Sequence, residues 1–127
     1  MVLIQLIGGP TALLEVDGLR LVTDPTFDQP GDYPRPNAPT LVKLAGPAVA
    51  ADEMARADVV LLSHDQHADN LDESGRAYLG QVPLTLTTPS GADRLTCIDI
   101  FGNERRKYLR RSGRKLRHGL AVRGLEC

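Results

Sequence analysis

Tryptophan is absent from the 127 residues and aromatic side chains make up 4% of them, so a core has to be built from Leu, Val, Ile and Ala. Cysteine occurs only at Cys97 and Cys127, with no second Cys or His at ligand spacing beside either. That leaves neither a disulfide framework nor a zinc ribbon to expect. No run reaches the roughly 18 apolar residues that span a bilayer, so no membrane partner is expected. The segment Met1–Ile7 has neither a basic lead nor a small-residue cleavage site. It reads as a strand, and the protein as cytoplasmic.

What is present is chain enough for one compact domain, with 12 Gly and 9 Pro placed mostly between apolar runs. The formal net charge of −1 hides an asymmetry. Residues 1–96 carry six basic and thirteen acidic side chains, whereas residues 97–127 carry nine basic ones against Asp99, Glu104 and Glu126. From about Thr96 the composition turns Arg-rich, with no period of 2 or 3.6. Residues 1–95 are therefore expected to form the folded unit and residues 96–127 a basic tail, non-native or disordered.

The opening apolar run, ended by Gly8, Gly9 and Pro10, is expected to be a buried strand. A hairpin follows, with Ala12–Val16 and Leu19–Thr23 flanking Asp17-Gly18, the dipeptide suited to a turn with two positive φ angles. Asp24-Pro25 stops the second strand, because proline cannot donate to a sheet ladder. Five prolines between residues 25 and 40 predict an irregular loop. A short helix is expected over Pro47–Ala57, and a compact strand over Ala57–Leu62 of the kind buried on both faces in a layered α/β protein. A helix over Asp72–Leu79 and a strand over Pro83–Thr88 complete the pattern.

The strand ending at Leu62 delivers His64, His67, Asp65, Asp69 and Asp72, with Gln66 and Asn70, within ten residues. Loops leaving the carboxyl ends of buried strands are where reactive groups gather. Imidazole nitrogen and carboxylate oxygen suit zinc, iron or manganese. The plain alternative is a solvated turn in which Asp69 or Asp72 caps the next helix. For Asp24 the plain reading is an Asx turn, and for Arg35 and Lys43 it is exposed charge with no anionic substrate to meet.

This arrangement resembles the metallo-β-lactamase superfamily, in particular the small metal-dependent hydrolases related to ascorbate-6-phosphate lactonase. The features that carry the resemblance are the opening strand with its Gly turn, the hairpin ending in Thr23-Asp24-Pro25, the Pro-rich loop and the apolar strand ending in Ser63-His64. It covers residues 1 to about 95. It implies an α/β (α+β) fold, a four-layer αββα sandwich of which this sequence carries the N-terminal half, since members run to about twice this length. The family motif is His-x-His-x-Asp-His. Here His67 matches the second His, Asp69 the Asp, and Asn70 stands where the last His belongs, while His64 matches the first His with one residue inserted. A neutral amide is a weak donor. The resemblance therefore implies one metal, Zn2+ with Fe or Mn as alternatives, held by His64, His67 and Asp69. Asp69 would also take the catalytic role of orienting the attacking water. His118, inside the basic stretch, has no context resembling a later family ligand.

The expected function is a metal-dependent hydrolase using a metal-bound hydroxide on a small-molecule ester, lactone, phosphodiester or amide, truncated and weakly active or inactive in this form. The competing reading is a non-catalytic module whose basic C-terminus binds nucleic acid or another polyanion. Against it, only Phe101 and Tyr108 interleave the basic residues. The abrupt composition there also matches translation in a shifted frame, which is the favoured reading of the tail. Half a sandwich would leave strand edges and an apolar face uncovered, so self-association through those edges is expected.

Overall fold

The computed structural model describes residues 1–96, and the expectations about the basic tail and His118 lie outside the described residues. Val2–Gly8 (β1) pairs antiparallel with Thr11–Val16 (β2), which pairs antiparallel with Leu19–Thr23 (β3). Asp17 and Gly18 take φ of 49° and 87°, and Leu13 pairs with Val22 and Val16 with Leu19, as the hairpin reading requires. Asp24, at φ 29°, ends β3.

Where an irregular Pro-rich loop was expected, Gly31–Arg35 (β4) and Ala38–Lys43 (β5) form a separate two-stranded sheet. Each strand has one partner, so its prolines remove few ladder bonds. The register slips between Tyr33 and Arg35, at Pro34, and Asn37 turns the chain with φ 60°. The helix expected over Pro47–Ala57 does not form, and only one turn appears, with Met54 N–H donating to Ala50 O at 2.9 Å. A single turn does not repay helix nucleation. The flanking backbone bonds instead to strands, Ala48 N–H to Ile7 O at 2.7 Å and Asp58 N–H to Arg20 O at 2.9 Å.

Val59–Leu61 (β6) lies between β3 and Thr85–Leu86 (β7), parallel to both, completing a mixed sheet in the order β1-β2-β3-β6-β7. Glu73–Leu79 (α1) starts at the expected place, and its N-cap Asp72 accepts from Gly75 N–H at 2.8 Å. Pro89–Thr96 (α2) was not anticipated. Its signal was Thr88-Pro89, since Thr88 Oγ1 accepts from Gly91 N–H at 3.2 Å and proline suits the first helical position.

The sheet has two unlike faces. Ile7, Leu13, Val22, Val60 and Leu62 share one face and are all buried, joining Phe27, Met54, Leu71, Tyr78, Val82 and Leu95 in a single cluster. Each such side chain contributes about 1.5–3 kcal/mol on burial. On the other face the register sets Ile4, Leu14, Leu21 and Val59 in one row, and none of them is buried. Two expectations change accordingly. In β1 only Ile7 is buried, because the strand is outermost in the sheet and has one neighbour. In β6, Val60 is buried while Val59 and Leu61 are only partly so, which makes it a strand covered on one face. The described residues thus make an α+β arrangement, a mixed sheet with few helices. Among them no helix is long and apolar enough to cross a membrane.

Candidate metal centre

The loop leaving the carboxyl end of β6 turns at once into Ser63-His64. The Ser63 Oγ lies 3.2 Å from His64 Nδ1, and on the far side of the ring His64 Nε2 lies 3.4 Å from His67 Nδ1. The two rings stand nearly perpendicular, at 86° with centroids 5.1 Å apart. Two nitrogens held about 2.0–2.1 Å from a tetrahedral zinc lie about 3.3–3.4 Å from each other. The observed separation therefore fits two ligands of one ion, and in the metal-free pair it also accommodates an N–H···N hydrogen bond.

The serine engages the ring nitrogen that faces away from His67. Asn70 Nδ2 donates to Ser63 Oγ at 3.1 Å, and the hydroxyl oxygen can accept a second bond from His64 Nδ1–H. In that tautomer the lone pair of His64 sits on Nε2 and points toward His67. Asp24 ties the two ends of the loop together. Its Oδ1 accepts from Ser63 N–H at 2.6 Å and its Oδ2 from Asn70 Nδ2 at 3.3 Å. Asp24 is therefore more than a strand terminator, and Asn70, which stands at the family's last His, spends its amide on this tie.

The acidic residues of the loop separate by role. Asp65 is buried, and Arg94 Nε of α2 lies 3.0 Å from each of its oxygens, with Nη2 closing on Oδ1. Hydrogen bonds from Arg94 hold the Asp65 carboxyl below the usual carboxylate range despite burial, and the pairing raises Arg94 in turn. Arg76 of α1 donates to the Asp65 carbonyl. Asp65 is thus a clamp between the loop and both helices. Asp72 is the cap of α1, and it also accepts from Asp28 N–H at 2.7 Å and faces Lys43 Nζ at 3.4 Å. Asp28 reciprocates by accepting from Glu73 and Ser74 N–H. Burial would raise the Asp28 carboxyl, but the bonds from Ser74 and Glu73, with Lys43 nearby, bring it below its ordinary value. Lys43 is bound into this corner, and Arg35 Nε donates to Pro39 O within its own hairpin.

Asp69 is exposed, and among the described residues no three His, Cys, Asp or Glu side chains are gathered as a metal site requires. The loop brings His64 and His67 together and does not gather Asp69 with them. No site role was expected for Ser63, noted only as the end of the strand, or for Arg76 and Arg94. Ser63 had a signal in its place beside His64, whereas the arginines act across α1 and α2 and had none.

No family model matches the chain. It is 38% identical over 88 residues to the uncharacterized protein Rv0906 of Mycobacterium tuberculosis, and equally to Mb0930 of Mycobacterium bovis; the match takes in 66% of this chain and 22% of each relative. The chain spans about a fifth of the length of these curated relatives. In structure it is similar to an isothiocyanate hydrolase from Delia radicum gut bacteria. The TM-score is 0.59 at 23% identity, over 75% of this chain and 38% of that one. The similarity supports a shared fold over the matched part of the chain.

Proposed function

We propose that the chain carries the first part of the metal site of a metal-dependent hydrolase with a four-layer metallo-β-lactamase sandwich. In this reading His64 Nε2 and His67 Nδ1 hold a single zinc, with iron or manganese as alternatives, and Asp69 serves the attacking water. The observation that carries the reading is the 3.4 Å approach of the two imidazole nitrogens, the chord of a tetrahedral centre. Bound there, zinc would acidify water and polarise the bond to be cleaved. The chain's own contribution is orientation. Ser63 fixes the His64 ring, Asp24 and Asn70 fix Ser63, and the Asp65–Arg94 pair fixes the loop backbone between the histidines.

Catalytic zinc sites ordinarily use three protein ligands and an open position. Two imidazoles without a third gathered ligand support weak binding, with the remaining donors supplied from outside the described residues. From the structural neighbour we carry over the hydrolase class and not its substrate, so a small-molecule ester, lactone, phosphodiester or amide remains the proposed target. Elemental analysis of the purified chain after dialysis against zinc tests the reading. Metal retained by the wild type and lost on His64→Ala and on His67→Ala is the expected outcome. Equal retention by all three proteins would remove the histidine pair as the site.

A further inference from the structure

We infer that Thr11, at the start of β2, is a positioning residue for the His loop and acts through the backbone of Asp24. The inference deepens the metal reading, and rests on it only for what the loop does once it is set. Thr11 is completely buried, and its hydroxyl has one proton and two lone pairs to place. The proton goes to the Asp24 carbonyl oxygen at 2.7 Å, which can only accept. Both lone pairs are met by Thr26, whose N–H and hydroxyl each lie 2.9 Å away. The group is fully used.

What this does to Asp24 follows from the parallel ladder of β3 and β6. Asp24 N–H donates to Leu61 O at 3.0 Å, one step past the pairing of Thr23 with Leu61. In a regular parallel pair a residue bonded this way accepts at its own carbonyl from the partner two positions further on, here Ser63 N–H. Instead the carbonyl is turned to Thr11, and the Asp24 carboxylate takes Ser63 N–H, with Oδ1 at 2.6 Å. Asp24 makes this exchange at φ 29°, a left-handed backbone that a non-glycine residue keeps only where its surroundings hold it. Thr11 is the hold on the carbonyl side. The exchange reaches the site because the same carboxylate accepts from Asn70, Asn70 donates to Ser63, and Ser63 meets His64. Without the Thr11 hydroxyl, the Asp24 carbonyl loses its partner and regains one by relaxing into the ladder and taking Ser63 N–H. The carboxylate then gives up its place on the loop.

Amide proton–nitrogen spectra of the full chain, recorded without metal, test the inference. Asp24→Asn marks how the Ser63 N–H and Asn70 side-chain resonances move when the charged acceptor is removed. Thr11→Val, which keeps the shape and drops the hydroxyl, is expected to move both in the same direction. Thr11→Ser is expected to leave both near wild type. Thr26→Val removes a neighbouring buried hydroxyl but keeps the bond from Thr11 to Asp24, so it should lower the melting temperature and leave both resonances in place. Zinc affinity, read by chelator competition, is expected to fall about tenfold in Thr11→Val and to hold in Thr26→Val, the low end for groups that orient metal ligands. Should Thr11→Val not fold, Thr11→Cys is read in its place, because a thiol is a weak donor, and both resonances are expected to move part of the way. A Thr11 variant that melts lower yet keeps both resonances at their wild-type positions would overturn the inference, leaving Thr11 a satisfied core hydroxyl. Equal movement in Thr11→Val and Thr26→Val would overturn it in favour of general loosening. A wild-type chain that binds no zinc would sink the metal reading alone, because the spectra decide the role of Thr11 without it.

Discussion

At Ser63 one hydroxyl connects a carboxylate-anchored amide to an imidazole, and its removal separates orientation from coordination. Ser63→Ala leaves both histidines in place but takes away the hydroxyl partner of His64 Nδ1. Partners of this kind are worth about 10- to 100-fold in metal affinity. Competition with a zinc chelator should show Ser63→Ala weakened by that factor, and Ser63→Thr, which keeps the hydroxyl, close to wild type. Arg94 offers the second residue-scale test. Its guanidinium is the partner of a buried carboxylate, and Arg94→Ala leaves Asp65 buried without it. The Asp65 carboxyl titrates in the folded protein below its unfolded value of about 3.9. The stability it contributes is therefore complete above about pH 4 and disappears as pH falls through the lower folded value. The melting temperature of Arg94→Ala is expected below that of wild type at neutral pH, with the gap closing on acidification through that window. A gap independent of pH would mean that Arg94 acts through packing alone.

At the scale of elements, α1 is seated on the end of the first hairpin through a glycine. A Cβ at Gly75 would overlap the Pro25 carbonyl oxygen, and Pro25 is fully buried. Gly75→Ala forces the helix off Asp24-Pro25, an overpacking cost of about 1–3 kcal/mol. Gly31→Ala meets no atom and carries no positive φ, so a change within about 0.5 kcal/mol is expected there. Chemical denaturation of the two variants compares them directly. How much of this was legible in the sequence follows from the range of the interactions. The β2–β3 hairpin, the cap at Asp72 and the strand feeding the His loop were readable, because turn chemistry, capping and apolar runs are local. The β4–β5 hairpin was missed because proline density says nothing about whether a strand sits at an edge. The helix predicted over 47–57 failed because Ala48 near its start bonds to Ile7, and Asp58 just past its end to Arg20, both far away in sequence. In the site, proximity made His64 and His67 legible as a pair. That Asp65 belongs to Arg94, and that Asn70 belongs to Asp24, required the chain to be folded.

At the scale of the whole molecule, metal binding and folding are linked, and the linkage reports whether the histidines act as a site in the intact chain. The loop that carries them is held by Asp24 at the end of β3, by Arg76 of α1 and by Arg94 of α2, so unfolding the domain disperses the pair. A ligand that binds only the folded state adds RT ln(1 + [L]/Kd), about 2.7 kcal/mol at a hundredfold excess over Kd. For a domain of this size about 1 kcal/mol corresponds to roughly 4–8 °C. Zinc titrated into metal-free wild type is therefore expected to raise the melting temperature progressively without saturating, as long as concentration exceeds Kd. EDTA should reverse the rise. His64→Ala should melt where the metal-free wild type melts and gain nothing from zinc. His118, outside the described residues, serves as the control for adventitious binding, because His118→Ala should keep the full zinc response. If His64→Ala instead shows the wild-type gain, or His118→Ala loses it, the stabilising ion sits elsewhere and the loop after β6 is only a polar turn.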